Sequence, residues 1–213
     1  MVLITVVVSV YNEREVLSVF WNELYRAITS LEGSSFEFEI LFVNDGSTDG
    51  SAVILDSISK DHSQVRVIHL SRNFGHEAAM LAGIENSKGE AVICMDADLQ
   101  HPPACIKEMC EMYAHGIDVV MMNRTKRGDG GWFKRKTSAL FYWLVNRLSK
   151  GQFEPNASDF FLISRRVVEV ISSCYKERTR FLRGLIQSVG FKRDSLAYFA
   201  PTRVAGKSKS VSY

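Results

Sequence analysis

The sequence predicts an α/β protein whose central sheet is mostly parallel and carries helices on both faces. In residues 1–123, short apolar and β-branched segments alternate with longer segments in which apolar residues recur every three or four positions. The short segments are typical of strands buried on both faces, and the longer ones are typical of helices with one apolar side. Single helices between successive strands indicate βαβ units and therefore parallel strands.

Five strands and four helices are expected in this first part of the chain. The strands are expected at residues 2–10, 36–43, 65–70, 90–95 and 117–122. The helices are expected at residues 13–31, 49–60, 75–87 and 103–113. Asp49 has a side chain suited to cap the second helix. Because parallel sheets bind ligands at the carboxyl ends of their strands, we expect functional residues just after positions 10, 43, 70, 95 and 122.

The pattern changes after residue 123. Residues 124–131 are polar, basic and rich in glycine, which predicts a loop. Further helices are expected at residues 132–148, 165–173 and 178–189, and further strands at residues 159–163 and 191–199. We therefore expect one domain with two parts, residues 1–123 and residues 124–213.

The composition excludes a wholly disordered chain, because 46% of the residues are hydrophobic and 23% are charged. The net charge of +2 conceals an asymmetry, since residues 1–123 hold 7 basic and 18 acidic residues and residues 124–213 hold 19 and 6. This asymmetry predicts that the second part meets an anionic partner: nucleic acid, a membrane surface or phosphates. No apolar run reaches the ~18–20 residues of a membrane-spanning helix, and the N-terminus does not resemble a signal peptide.

Several common ligand motifs are absent from the sequence. Neither G-x-G-x-x-G nor the full pattern G-x-x-x-x-G-K-[ST] occurs, so neither a dinucleotide fingerprint nor a P-loop is predicted. Cys94, Cys105, Cys110 and Cys174 show no C-x-x-C spacing, which argues against a zinc site. We interpret these cysteines as free thiols in a reducing compartment.

Carboxylates follow the second and fourth expected strands. Asp45 can accept hydrogen bonds from a base N–H or a ribose hydroxyl, and the alternative is a turn that leads into a helix. Asp96 and Asp98 stand two residues apart and would repel one another unless a cation lies beside them. Oxygen ligands of this kind suit Mg²⁺ or Mn²⁺, which keep positions for a diphosphate. The alternative is an acidic loop that caps the next helix.

Five segments resemble the successive motifs of family-2 glycosyltransferases, which have the GT-A fold. The segments are Val10-Tyr11-Asn12-Glu13, Val43–Asp49, Ser71–Gly75, Asp96–Pro103 and Arg203–Lys209. The branch that the sequence resembles is that of the polyprenyl-phosphate sugar transferases, similar to dolichyl-phosphate mannose synthase and bactoprenol glucosyltransferases. The resemblance extends over essentially the whole chain, with the motifs in order.

The resemblance implies a role for each of twelve residues. The nucleotide-binding residues would be Tyr11, Glu13, Asp45, Ser47 and Asp96. The metal ion, Mg²⁺ or Mn²⁺, would be held by Asp98, Gln100 and Asp96. Donor and acceptor phosphates would be bound by Arg124, Arg135, Arg203 and Lys209. The catalytic residues would be Asp98 and Asp159, the latter on the acceptor side.

The same resemblance implies an inverting, metal-dependent transfer of a sugar from a UDP- or GDP-sugar to a polyprenyl phosphate of undecaprenyl or dolichyl type. Residues 1–123 would bind the nucleotide sugar, and residues 124–213 the acceptor, at the cytoplasmic side of a membrane. Two departures from the pattern stand out. Ser9 stands where the first motif usually has proline, and the chain stops at Tyr213 where this branch usually continues into membrane helices. We therefore expect a catalytic domain whose natural anchor lies beyond residue 213.

Two other functions compete with this hypothesis. The same fold acting on a hydroxyl of a polysaccharide or glycan would need Asp159 as a general base, whereas a phosphate acceptor is already largely ionised and needs cations instead. A non-enzymatic nucleic-acid-binding domain would use the basic second part, but no zinc finger or helix-turn-helix signature accompanies the charge. No nucleic-acid partner is therefore expected.

Three further features have alternative interpretations. Residues 132–148 carry aromatic and basic side chains that suit a helix at a membrane interface, or equally a helix packed on the sheet. His76 follows the Gly75 turn and would approach the nucleotide, or is a satisfied surface histidine. His101 is a candidate for a group that supports the acidic turn.

Overall fold

A computed structural model describes residues 1–31, 33–125, 157–174 and 181–201 of the chain. Its strands are β1 (Val2–Val10), β2 (Phe36–Asn44), β3 (Val65–His69), β4 (Ala91–Asp96), β5 (Val119–Thr125), β6 (Ala157–Ser164) and β7 (Arg193–Phe199). Its helices are α1 (Arg14–Thr29), α2 (Ser51–Asp61), α3 (His76–Glu85), α4 (Ile106–Ala114), α5 (Arg165–Cys174) and α6 (Leu182–Ser188). Every expected strand is present, and the alternation of strands and helices is confirmed.

The described strands form one seven-stranded sheet in the order β3-β2-β1-β4-β6-β5-β7. All neighbouring pairs are parallel except the two that β6 makes with β4 and β5. The prediction of a mostly parallel sheet is therefore confirmed. The register pairs Val10 with Asn44 and Ser9 with Asp96, so these strand ends meet at one edge.

Two apolar layers cover the two faces of the sheet. One layer packs α1, α2 and α4 against alternate strand residues such as Val6 and Ile93, and the other packs α3, α5 and α6 against Val7 and Cys94. The alternation follows from the two-residue period of a strand, which sends successive side chains to opposite faces. Burial of each large apolar side chain contributes roughly 1.5–3 kcal/mol, so both layers stabilise the sheet. Helices on both faces are thus confirmed.

The start of α2 differs from the expectation that Asp49 is its cap. Gly50 occupies the cap position with φ of 91°, and Asp49 lies one residue earlier. One carboxylate oxygen of Asp49 accepts the Ser51 N–H at 3.0 Å, and the other accepts the Arg14 N–H at 3.0 Å. Burial alone would raise the pKa of Asp49, but hydrogen bonds from Ser51 and Arg14 lower it. Asp49 therefore ties the start of α2 to the start of α1.

Three smaller points concern the other predicted elements. The helix expected from Pro103 begins as a 3-10 turn, Pro103–Cys105, and becomes α-helical at Ile106. The helix expected at residues 132–148 lies outside the described residues, as does the beginning of the one expected at 178–189. Among the helices that the described segments form, none is long and apolar enough to cross a bilayer.

Three cysteines are free thiols, as expected. Cys94 and Cys110 are buried and Cys105 is partly buried. Burial raises the pKa of Cys110 to about 12, which keeps this thiol protonated at neutral pH. A protonated, buried thiol is a poor nucleophile and a poor metal ligand, so this cysteine has a packing role.

Candidate active site

The turn after β1 is joined to the turn after β2 by Asn12. The backbone N–H of Asn12 donates to Ser47 Oγ at 2.9 Å, and Asn12 Oδ1 accepts the Thr48 N–H at 2.7 Å. Asn12 has a φ of 53°, a left-handed conformation that asparagine tolerates better than most residues. Tyr11 and Glu13 flank Asn12 and are partly buried. Four of the predicted site positions are thereby brought to two adjoining turns: Tyr11, Glu13, Asp45 and Ser47.

The carboxylate of Asp45 connects the turn after β2 to the turn after β3. Its side chain is buried, with Oδ1 accepting the Phe74 N–H at 2.7 Å and Oδ2 accepting the Gly75 N–H at 3.0 Å. Each carboxylate oxygen has a second lone pair, so these bonds leave Asp45 capacity to accept others. The three turns that follow β1, β2 and β3 are therefore hydrogen-bonded into one wall of a site.

The acidic turn after β4 contains Asp96, Asp98 and Gln100. Leu99, between the last two, is buried and has a φ of 63°. A non-glycine residue in this region costs of order 1–3 kcal/mol, and such strain concentrates at functional sites. Asp98 Oδ1 accepts the Gln100 N–H at 3.0 Å, which closes the turn. The buried Leu99 side chain anchors a strained turn that carries the predicted metal ligands.

His101 supports the acidic turn through a hydrogen bond to its backbone. Its Nδ1 accepts the backbone N–H of Asp96 at 2.9 Å, and its ring stacks on Phe160 with centroids 5.1 Å apart. Tyr198 meets the same ring edge-on at 6.2 Å. Burial raises the pKa of Tyr198, so its phenol stays protonated at neutral pH. The structure thus places His101 as a rigid support for the end of β4.

Arg124 brings the start of the basic segment to the acidic turn. It lies near the end of β5 and its Nη1 donates to Gln100 Oε1 at 3.1 Å. This contact places a guanidinium beside the predicted metal ligands. The other predicted phosphate-binding residues, Arg135, Arg203 and Lys209, lie outside the described residues.

Asp159, near the start of β6, lies between two nitrogen-bearing side chains. Its Oδ1 pairs with Arg183 Nε at 2.9 Å, and its Oδ2 lies 3.7 Å from His76 Nε2. The other ring nitrogen of His76 lies 3.0 Å from Ser9 Oγ and 3.3 Å from Asp96 Oδ1. The structure therefore brings together the two predicted carboxylates Asp96 and Asp159, with His76 between them.

Sequence reasoning missed Arg183 and undervalued Ser9 and His76. Arg183 is placed by Glu77, whose Oε2 accepts the N–H of Leu182, the first residue of α6, at 3.0 Å. Burial raises the pKa of Glu77, and the nearby charge of Asp159 acts in the same direction. The only available signals were the position of His76 after the Gly75 turn and the unusual serine at position 9. Nothing local in the sequence marked Arg183.

The acidic turn fits a hard divalent cation. Within the described segments no group of three or more histidine, cysteine, aspartate or glutamate side chains is arranged to enclose a metal ion. Asp96, Asp98 and Gln100 nevertheless supply carboxylate and amide oxygens on one short turn. Mg²⁺ and Mn²⁺ accept such oxygens and keep further positions for phosphate and water, so a site with few protein ligands suits them.

Most of the chain matches a known protein family. The sequence model described as "Glycosyl transferase family 2" matches residues 5–172. The chain belongs to this family. This membership confirms the predicted resemblance to family-2 glycosyltransferases. It also confirms the prediction that the chain is a glycosyltransferase.

Among family-2 relatives, the chain is 39% identical over 207 residues to the bactoprenol glucosyl transferase of Shigella phage SfX. It is 38% identical over 207 residues to the prophage bactoprenol glucosyl transferase homolog of Escherichia coli. An uncharacterized glycosyltransferase of Bacillus subtilis, YkcC, is 39% identical over 206 residues. These alignments include 96% to 97% of this chain but only 62% to 66% of the relatives, so the chain spans less than two thirds of their length.

Two solved structures show the same fold as this family-2 chain. The mannosyltransferase PcManGT from Pyrobaculum calidifontis, in complex with GDP-Man and Mn²⁺, has a TM-score of 0.63 at 16% identity, over 96% of this chain and 58% of that one. Glucosyl-3-phosphoglycerate synthase from Mycobacterium tuberculosis, in complex with Mn²⁺, UDP and glucosyl-3-phosphoglycerate, has a TM-score of 0.60 at 17% identity, over 97% and 73%. The predicted GT-A fold is confirmed.

Proposed function

We propose that this family-2 glycosyltransferase moves a sugar from a UDP- or GDP-sugar onto a polyprenyl phosphate, with inversion at the anomeric carbon. The observation that carries the proposal is the identity of 38% to 39% with bactoprenol glucosyl transferases across 97% of the chain. Bactoprenol is a polyprenyl lipid, so the reaction would take place at a membrane surface, on its cytoplasmic side. The family match supports an enzyme and gives the nucleic-acid hypothesis no support.

The donor nucleotide would bind against the wall formed by the first three turns. Asp45 would accept a hydrogen bond from the base, with Tyr11, Glu13 and Ser47 around it. The support for this role is the position of Asp45 at the carboxyl edge of the sheet, next to the turn that holds Ser47 and Asn12. Asp96, at the end of the neighbouring β4, would face the ribose and the diphosphate.

The diphosphate would lie at the acidic turn, where Asp98, Gln100 and Asp96 would hold Mg²⁺ or Mn²⁺. The ion, when bound, neutralises charge that develops on the leaving diphosphate. Arg124, which donates to Gln100, adds a fixed positive charge at the same place. Arg203 and Lys209 would add to it from the C-terminal segment. The presence of Mn²⁺ with nucleotide ligands in the PcManGT and glucosyl-3-phosphoglycerate synthase structures supports this assignment.

The surroundings of Asp159 support a phosphate acceptor over a hydroxyl acceptor. A general base must have a carboxylate oxygen available to the substrate proton, and one of the two oxygens of Asp159, Oδ1, is already paired with Arg183 Nε at 2.9 Å. A phosphomonoester, with a second pKa of about 6, needs no base and is bound by cations. In the proposed reaction Arg135 joins Arg124 in binding the acceptor phosphate, and Asp159 orients neighbouring groups.

The test is sugar transfer to undecaprenyl phosphate in detergent, with UDP-glucose or GDP-mannose and Mn²⁺. We expect a lipid-linked sugar with one of the donors. In Asp159→Asn, transfer to the phosphate is expected to stay within about tenfold of the wild type, because no proton has to be removed. A general base contributes ~10²–10⁴-fold, so loss of activity on that scale, or transfer by the wild type to hydroxyl acceptors alone, would contradict the proposal.

A further inference from the structure

The imidazole of His76 connects carboxylates on two neighbouring strands. Asp96 ends β4 and Asp159 lies near the start of β6, which pairs antiparallel with β4. Two carboxylates brought together at one sheet edge repel one another unless another group separates or neutralises them. His76 stands between them, with Nδ1 3.3 Å from Asp96 Oδ1 and Nε2 3.7 Å from Asp159 Oδ2.

The contact on the Asp96 side runs through Ser9. A carboxylate can only accept, so the Ser9 hydroxyl donates to Asp96 Oδ1, at 3.2 Å. The oxygen of that hydroxyl is then the acceptor for the Nδ1–H of His76, at 3.0 Å. Nδ1 is therefore held by the Ser9 hydroxyl, which is itself held by Asp96.

The contact on the Asp159 side is looser and faces the site. Nε2 of His76 is buried, and the described residues offer it no hydrogen-bond partner. Its distance of 3.7 Å from Asp159 Oδ2 is too long for a hydrogen bond, although the two atoms are neighbours. One side of the ring is thus held by a hydrogen bond, and the other side lies next to Asp159.

The backbone of His76 is itself held in place. The residue begins α3, and the N–H of the preceding Gly75 donates to Asp45 Oδ2 at 3.0 Å. The next residue, Glu77, accepts the Leu182 N–H at 3.0 Å and so fixes α6, which carries Arg183. The ring therefore has a defined location relative to Asp45, Asp96 and Asp159 alike.

We propose that His76 is a positioning residue that sets the placement of the acceptor-side Asp159 relative to the donor-side Asp96. This inference rests on the proposed function, in which Asp96 faces the donor and Asp159 the acceptor. Loss of the Nδ1 contact disturbs Asp96 and donor binding. Loss of the Nε2 contact disturbs Asp159 and the transfer step, because the placement of groups around the reacting centre affects the rate. This loss should not exceed that of Asp159→Asn.

Two substitutions separate the two sides of the ring. His76→Asn keeps an amide near the position of Nδ1 and removes the group near Asp159. His76→Gln places its amide near the position of Nε2 and removes the donor to Ser9 Oγ, which keeps its bond to Asp96. Binding of UDP and GDP with Mn²⁺ is measured by calorimetry, and kcat and KM are measured with the acceptor that the wild type uses. His115→Asn, at an exposed position after α4, is the matched control.

We expect His76→Asn to bind nucleotide within about threefold of the wild type and to lose about five- to tenfold in kcat, no more than Asp159→Asn itself loses. We expect His76→Gln to weaken nucleotide binding by about tenfold, the equivalent of one hydrogen bond. Equal effects of the two substitutions on both measurements, or no effect of either, would overturn the proposal. So would losses that simply follow a fall in the melting temperature. Failure of the wild type to use polyprenyl phosphate would refute the proposed function alone, because the His76 variants are compared on whichever acceptor is used.

Discussion

At the scale of single residues, backbone strain marks the candidate site. Asn12 and Leu99 are the non-glycine residues with positive φ in the part of the chain that the structure describes, and each lies in a turn at the carboxyl edge of the sheet. Asparagine tolerates this conformation, whereas leucine adopts it rarely, and the Leu99 side chain is buried here. The strained backbone of Leu99 thus lies in the acidic turn, between Asp98 and Gln100.

Removal of the Asp98 charge should abolish metal-dependent nucleotide binding. In Asp98→Asn, an amide replaces the carboxylate on the acidic turn, and neutral oxygens bind Mg²⁺ and Mn²⁺ much more weakly. We expect Mn²⁺ and UDP or GDP to raise the melting temperature of the wild type and to have little effect on the variant. Equal stabilisation of both proteins in a thermal-shift assay would show that Asp98 is not a metal ligand.

The glycine of the turn after β2 should resist substitution for steric reasons. A Cβ on Gly46 would lie 2.4 Å from the carbonyl carbon of Arg72 and 2.6 Å from the amide nitrogen of Asn73. Gly46→Ala should therefore lower the free energy of unfolding by about 2–4 kcal/mol. Alanine is strained at the positive φ of this position, and its Cβ would overlap the backbone of Arg72 and Asn73.

Gly116→Ala is the matched control for this substitution. Gly116 also has a positive φ, of 81°, but nothing lies within 4 Å of its would-be Cβ. Its substitution should cost only the conformational strain, about 1 kcal/mol. Urea unfolding of both variants measures the difference, and equal losses would mean that the approach of the two turns is not tight.

At the scale of elements, a buried carboxylate connects the amino ends of three strands. Glu39 of β2 pairs with Arg66 of β3 at 2.5 Å and accepts the hydroxyl hydrogen of Thr5 of β1 at 2.9 Å. Burial alone would raise the pKa of Glu39, but its hydrogen bonds from Arg66, Thr5 and the Lys88 backbone lower it. The pair fixes the strand order at the edge of the sheet that lies opposite the candidate site.

Glu39→Gln should destabilise the fold and change its acid sensitivity. The lost charge-assisted bonds are worth about 1.5–3 kcal/mol near pH 7. Because the pKa is lowered on folding, the wild type keeps this stabilisation above the ordinary carboxyl pKa and loses it as pH falls through the lowered value. Unfolding curves from pH 7 to pH 3 should therefore converge for the two proteins. Glu37→Gln, exposed on the same strand, should change little, and an equal loss there would argue against the buried pair.

At the scale of the whole molecule, acidic and basic residues are distributed unequally between the two parts of the chain. The first 123 residues supply Asp45, Asp96 and Asp98 at the sheet edge, and the remaining 90, which include Asp159, carry 19 basic residues against 6 acidic. Each basic residue near an anionic membrane surface contributes about 1 kcal/mol of attraction, which salt screens. The charge distribution is therefore suited to a partner that combines a phosphate group with a membrane surface.

This distribution predicts electrostatic binding to anionic lipid. The full chain should sediment with vesicles that contain phosphatidylglycerol and much less with vesicles of phosphatidylcholine alone. Raising the salt from 0.05 to 0.5 M should release most of the bound protein, because the Debye length falls from above ~10 Å toward ~4 Å. Equal, salt-independent binding to both kinds of vesicle would point to apolar insertion instead.

The sequence by itself determined the alternation of strands and helices, the family, and the carboxylates at the ends of β2 and β4. These features are local: a strand or an amphipathic helix is encoded by spacing within a dozen residues, and the turn Asp96–Gln100 is contiguous. The start of α2 shows the limit of such reasoning. The cap residue of this helix is Gly50, with a φ of 91°, and not the predicted Asp49.

Only the tertiary structure decided the surroundings of Asp159. Strand β6 inserts antiparallel between β4 and β5, with Cys94 opposite Phe161, and this brings Asp159 beside the end of β4. His76 and Arg183 then reach it from α3 and α6, far apart along the chain. Which strands become neighbours depends on how the apolar faces of all the elements pack together, and no spacing within a short segment encodes that choice.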